Sequence, residues 1–170
     1  MKQPRRHITM ERKSHSKSFY LRIYPDSVLR EVCEPIQGFD SWLHDVIKEM
    51  FLLMQANNGI GLAGPQVGIA QRLFIAQIHH QAICLINPTV TSRGGYARMT
   101  EGCLSLPNTL AHIQRNRHIN VQGYDFQGQR QTYQLQDLWA RVIQHEIDHL
   151  NGILIIDHES NHYSTTNRCL

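Results

Sequence analysis

Between Ser41 and Asn57 the apolar residues Leu43, Val46, Ile47, Met50 and Met54 recur at spacings that gather on one side of a helix. Asp40 stands where an N-cap belongs, and Gly59 follows the end. The two methionines read as core filler. From Arg72 to Tyr133 the period shortens to that of strands. Leu73-Phe74-Ile75-Ala76 and Ile83-Cys84-Leu85-Ile86 are apolar runs separated by His79-His80, which reads as a solvated turn. Farther on, Ile119–Tyr124 and Gln131–Leu135 flank Asp125-Phe126-Gln127-Gly128, a hairpin connection. A second helix is predicted from Asp137 as N-cap, through Leu138, Val142, His145 and His149, to a stop at Gly152. Leu21–Asp26 reads as a strand or extended entry ended by Pro25, and Ile153-Leu154-Ile155-Ile156 as a short buried strand. A helix, several antiparallel strands and a second helix predict an α+β fold, with the strands packed around the second helix.

Charge changes this picture at the N-terminus. The net charge of +3 is not spread over the chain. Residues 1–20 carry six cations against Glu11, leaving 11 cations and 13 acids for the rest. The body is therefore slightly acidic and lacks the footprint of a specific nucleic-acid binder. Residues 1–19 are expected to be a disordered basic tail, 20–157 one globular domain, and 158–170 a polar C-terminal tail. A transit peptide is the alternative reading of the basic tail, but no apolar face recurs there at helical period. No apolar run approaches a membrane span, and no N-terminal segment resembles a secretory signal, so a cytoplasmic protein without a membrane partner is expected. Of the four cysteines, Cys33 and Cys84 sit in apolar surroundings and are expected in the core. The spacings suggest no disulfide framework.

The chemistry begins in Gln144-His145-Glu146-Ile147-Asp148-His149. Each helical residue turns about 100°, so His145 and His149 project from one face and can share a metal ion. Glu146 lies beside the first of them, where its carboxylate can take a proton from water without being a ligand. A catalytic metal usually has a third protein ligand, and that ligand decides the chemistry. The metzincin spacing would place a histidine at position 155, which is Ile155. A thermolysin-like site would need an acid downstream, where Glu159 is the candidate, and would make the protein a zinc endopeptidase. Upstream, Cys103 lies in Glu101-Gly102-Cys103-Leu104-Ser105, a stretch suited to presenting a ligand from a bend; the alternative is a buried structural cysteine. The run from Gly59 to Gly68 holds four glycines in ten residues, implying special backbone angles or close approach of another segment. It lacks the Lys-Ser/Thr of a phosphate-binding loop, and Gln66 offers an amide donor beside it. A metal- or peptide-binding module without activity is the alternative from another class, and the retained Glu146 speaks against it.

Taken together, Gly59-Ile60-Gly61-Leu62-Ala63-Gly64-Pro65-Gln66, Glu101-Gly102-Cys103-Leu104-Ser105 and Gln144–His149 resemble the peptide deformylases, in order and over roughly residues 20–157. The resemblance implies Cys103, His145 and His149 as ligands of one divalent ion, Fe(II) foremost, with Zn(II), Ni(II) or Co(II) able to substitute. It implies Glu146 as general base, and Gln66 with the backbone N–H of Leu104 as oxyanion donors. Ile60, Gly61 and Gly102 would contact an extended peptide through their backbone, and Val142 would line a pocket for methionine. The implied substrates are N-formylmethionyl nascent peptides, and the products are formate and a free N-terminus. Gly64-Pro65 departs mildly from the family pattern. The ribosome is a further candidate partner, weakened by a polar tail where many bacterial members carry a docking helix.

Overall fold

The computed structural model describes residues 19–160. The cationic residues of the expected N-terminal tail, the last ten residues and Cys169 lie outside that range. Phe19, assigned to the tail from sequence, instead packs against the core beside Leu21.

Helix α1 (Ser41–Ala56) starts at Asp40, whose side chain accepts from the Leu43 N–H at 3.1 Å. This satisfies one of the donors that a helix start leaves unpaired. Its buried residues are the five apolar positions of the sequence pattern. Five antiparallel strands follow in simple sequential order: β1 (Gly61–Ala63), β2 (Leu73–Ile78), β3 (Gln81–Cys103), β4 (Leu106–Tyr124) and β5 (Arg130–Gln136). Helix α2 (Asp137–Leu150) comes next, then a short α3 (Ile155–Ser160). The architecture is α+β. Among the described residues no helix is long and apolar enough to cross a membrane.

Strand β2 shows why the sheet reads as continuous apolar runs. Successive side chains point to opposite faces of a strand. Phe74 and Ala76 pack on one face with Ala140, Val142, Ile143 and Leu150 of α2. Leu73 and Ile75 pack on the other with Leu43, Met50 and Met54 of α1. Both faces are covered, so no polar alternation remains to be seen. Fully burying a side chain such as Phe74 contributes roughly 1.5–3 kcal/mol. A third cluster joins Leu154 and Ile155 to Leu29, Leu106, Ala111 and Ile113.

Two expectations need correction. Ile153–Ile156 is not a strand; α3 begins at Ile155 and runs to Ser160, across the expected boundary at 157. Asp157 and Leu154 bond reciprocally around its first turn, the Asp157 N–H donating to the Leu154 carbonyl and the Asp157 carboxylate accepting from the Leu154 N–H at 2.7 Å. Asp137 does not cap α2. It is the first helical residue, with φ of 52°, and its carboxylate accepts instead from Arg117 Nε at 2.7 Å. Cys103 is presented from a bend, as expected: it closes a 23-residue strand at a register shift between Gly102 and Cys103, and a turn follows at Leu104-Ser105. Such shifts bend a strand and re-aim a side chain.

Candidate metal centre

Two elements bring the site together. Helix α2 presents His145 and His149 one turn apart, with ring centroids 4.9 Å from each other. The end of β3 brings in Cys103, whose Sγ lies 3.3 Å from His149 Nε2. One ligand atom from each of the three residues lies within 4.8 Å of the others. This is the one group of metal-ligating residues found among those described. A sulfur and two imidazole nitrogens at that separation suit a divalent transition metal. Two buried polar atoms without a hydrogen-bond partner, Glu146 Oε2 and His149 Nδ1, belong to the same helix segment. Glu159 lies in α3 with its side chain outside the described set.

The charges around Cys103, His145 and His149 favour a cation. Burial alone would lower the His145 imidazolium, but hydrogen bonds to Cys103 and Glu101 and the charge of Glu146 raise it to about 10. The same anionic surroundings attract a metal ion to the nitrogen. Burial, with the charges of His145 and Arg115, holds His149 well below its ordinary value, leaving a neutral ring with a lone pair to give. Burial pushes the Glu146 carboxyl up to about 7, against the lowering influence of His145 and Arg115. A buried carboxyl in that range can both take and return a proton near neutral pH.

Glu146 fits where it does because Gly61 has no side chain. A Cβ there would stand 2.1 Å from Glu146 Oε1 and 3.0 Å from Val142 Cγ1. Ile60, Gly61, Gly102, Val142, Leu104, Gln66, Cys103, His145 and Glu146 all line one cleft of about 410 Å³. His149 is buried behind it. Every site residue implied by the family resemblance therefore lies in or against this cleft. Gln66 is buried, with Oε1 accepting from the Ala63 N–H at 2.8 Å and Nε2 lying 3.2 Å from Ser105 Oγ and 3.7 Å from Cys103 Sγ.

The shell behind Cys103, His145 and His149 was not legible in the sequence. Glu101 accepts from His145 Nδ1 at 3.0 Å, orienting the ring so that Nε2 faces the centre. Arg115 grips the Glu101 carboxylate with both Nε and Nη2, at 2.6 and 2.9 Å, and Arg141 donates to the same carboxylate. Burial would raise the Glu101 carboxyl, but hydrogen bonds from His145 and Arg115 hold it at about 2. Arg115 Nη1 also reaches Asp148 Oδ2 at 2.7 Å. The only advance signal was Glu101, which opens the motif Glu101–Ser105 two places before Cys103.

The profile of the polypeptide deformylase family matches residues 20–164. A peptide deformylase of Hydrogenovibrio crunogenus is 44% identical over 141 residues, covering 81% of this chain and 83% of its own. The crystal structure of the Thermotoga maritima peptide deformylase superposes with a TM-score of 0.81 at 38% identity, covering 82% of this chain and 96% of that one. A peptide deformylase of Synechococcus elongatus in complex with actinonin gives 0.80 at 34% identity, covering 92% and 87%. With the fold, the motifs and the site in agreement, the chain belongs to the peptide deformylases, metal-dependent hydrolases that remove the N-formyl group from nascent polypeptides.

Proposed function

We propose that Cys103, His145 and His149 hold the ion of this enzyme and that Glu146 is its general base. The observation that carries this reading is the meeting of the three ligand atoms within 4.8 Å, beside a buried carboxyl and at the wall of an open cleft. When bound, the ion supplies a Lewis acid that polarises the formyl carbonyl and lowers the pKa of water at its open position. Glu146 takes a proton as water adds to the formyl carbon, and hands it to the amine nitrogen as the C–N bond breaks. Formate and a free N-terminus result. Gln66 Nε2 and the Leu104 backbone N–H would donate to the oxygen as negative charge grows on it. In this structure the Gln66 amide is held by Ala63 and Ser105, so little reorganisation is needed to aim it.

We assign Fe(II) as the working ion, with Zn(II), Ni(II) and Co(II) as substitutes, since all accept one sulfur and two nitrogens. The backbone of Ile60, Gly61 and Gly102 would receive an extended peptide as an added strand, a mode that reads little sequence. Val142, almost fully buried on α2, would contact the methionine side chain. Residues 20–157, together with the rest of α3, form the catalytic unit in this reading, and its setting is the cytoplasm, where formylated chains emerge from the ribosome.

Formate release tests the proposal. The cobalt-loaded enzyme should hydrolyse formyl-Met-Ala and spare acetyl-Met-Ala, whose methyl group crowds a site shaped around a hydrogen. It should show a sulfur-to-cobalt charge-transfer band that disappears in Cys103→Ser. A loaded enzyme that leaves the formyl peptide intact, or a band that survives the substitution, would overturn it.

A further inference from the structure

A chain of polar contacts runs from His145 to α3, farther than orienting one ring requires. Arg115, on β4 and almost fully buried, binds the Glu101 carboxylate with one edge of its guanidinium and Asp148 with Nη1. Glu101 stands two residues before Cys103 on β3, and Asp148 directly before His149 on α2. One planar, rigid group thus ties together the two elements that must meet at the ion. Asp148 Oδ2, which receives Arg115 at 2.7 Å, also receives His158 Nε2 at 2.8 Å. His158 belongs to α3, which is anchored independently. Ile155 packs with Leu106 and Ile113 of β4, and Asp157 forms a two-pronged pair with Arg30.

A partly exposed His–Asp pair would ordinarily count for little. Here the aspartate is shared with a buried arginine, so its orientation is passed on to a group that cannot turn freely. We propose that His158 is a positioning residue for the metal centre. By holding Asp148 from the α3 side, it keeps the Arg115 clamp closed and sets the separation of His149 from Cys103. This rests on the reading that Cys103, His145 and His149 hold the ion.

The test compares His158→Phe, which keeps bulk without an N–H donor, with His158→Gln, whose amide can donate to the same oxygen. Both are measured as full-length, cobalt-loaded enzyme beside wild type. Partners directly behind a ligand typically change metal affinity 10–100-fold; His158 acts through further contacts, so a loss of about 3–10-fold is expected in His158→Phe. The sulfur-to-cobalt band should shift, and kcat should fall by a similar factor with KM unchanged. His158→Gln should recover most of each. If His158→Phe keeps the wild-type band, affinity and kcat, the positioning role is overturned even if its Tm falls. Equal impairment of both variants overturns it as well, by showing a packing effect. A wild-type enzyme with no sulfur-to-cobalt band overturns the ligand reading and this proposal with it.

Discussion

Gly61 and Glu146 occupy one volume between them, and that makes Gly61 part of the site although it has no side chain to contribute. A Cβ at 2.1 Å from Glu146 Oε1 can be accommodated only by moving the carboxylate or the strand. Displacement of a catalytic group by about 1 Å can cost on the order of 10²-fold. Gly61→Ala should therefore lose about that much kcat while keeping its metal, measured by formate release beside metal analysis of the same sample. The cysteines separate in the same way. Burial raises Cys33 to about 11 and Cys84 to about 12, whereas Cys103 lines the cleft. In metal-free enzyme at neutral pH, iodoacetamide should label Cys103 well ahead of Cys33 and Cys84, and adding cobalt should suppress that labelling. Equal labelling of the three would place Cys103 outside the metal shell. His145, Glu146 and His149 were legible because helix geometry alone puts them together. Arg115, Arg141 and Asp148 were not, because the two arginines meet Glu101, and Asp148 meets Arg115, only after β3, β4 and α2 have packed.

Among the elements, α1 was legible to within a residue because its pattern is one-sided and its cap is local. Asp40→Ala removes the hydrogen bond to Leu43 and should lower stability by about 1 kcal/mol in urea unfolding, with turnover unchanged. The β3–β4 hairpin was legible only at its base. Its outer half, Arg93–Gly102 against Leu110–Ile119, is largely exposed on one face and carries Gly94, Gly95 and several arginines, which mask any alternation. Helix α3 was missed for the opposite reason. Ile153–Ile156 is apolar enough for a strand, and what makes a helix there is the reciprocal bonding of Asp157 and Leu154, which depends on a single acid. Ile155, which blocked the metzincin spacing in the sequence, is instead a core residue that seats α3.

At the scale of the molecule, the ion would join β3 to α2, two elements that also meet through packing, the Arg115 clamp and the contacts of Arg141 and His145 with Glu101. A ligand that binds only the folded chain stabilises it by about 2.7 kcal/mol at 100 times its Kd. Chelation should therefore lower the Tm of wild type, while Cys103→Ser should have the lower Tm already and respond less. The basic N-terminal residues contribute no core-forming pattern, so deleting residues 1–17 should leave turnover of formyl-Met-Ala unchanged; a large loss would assign them a part in the site. The central claim is a division of labour between three residues that hold the ion and one that moves the proton. The most direct measurement is metal content and turnover of Glu146→Gln on the same preparation. One ion per chain should remain while turnover falls about 10²–10⁴-fold, the span of general acid–base catalysis. Loss of the ion together with activity, or activity near wild type with the ion in place, would contradict it.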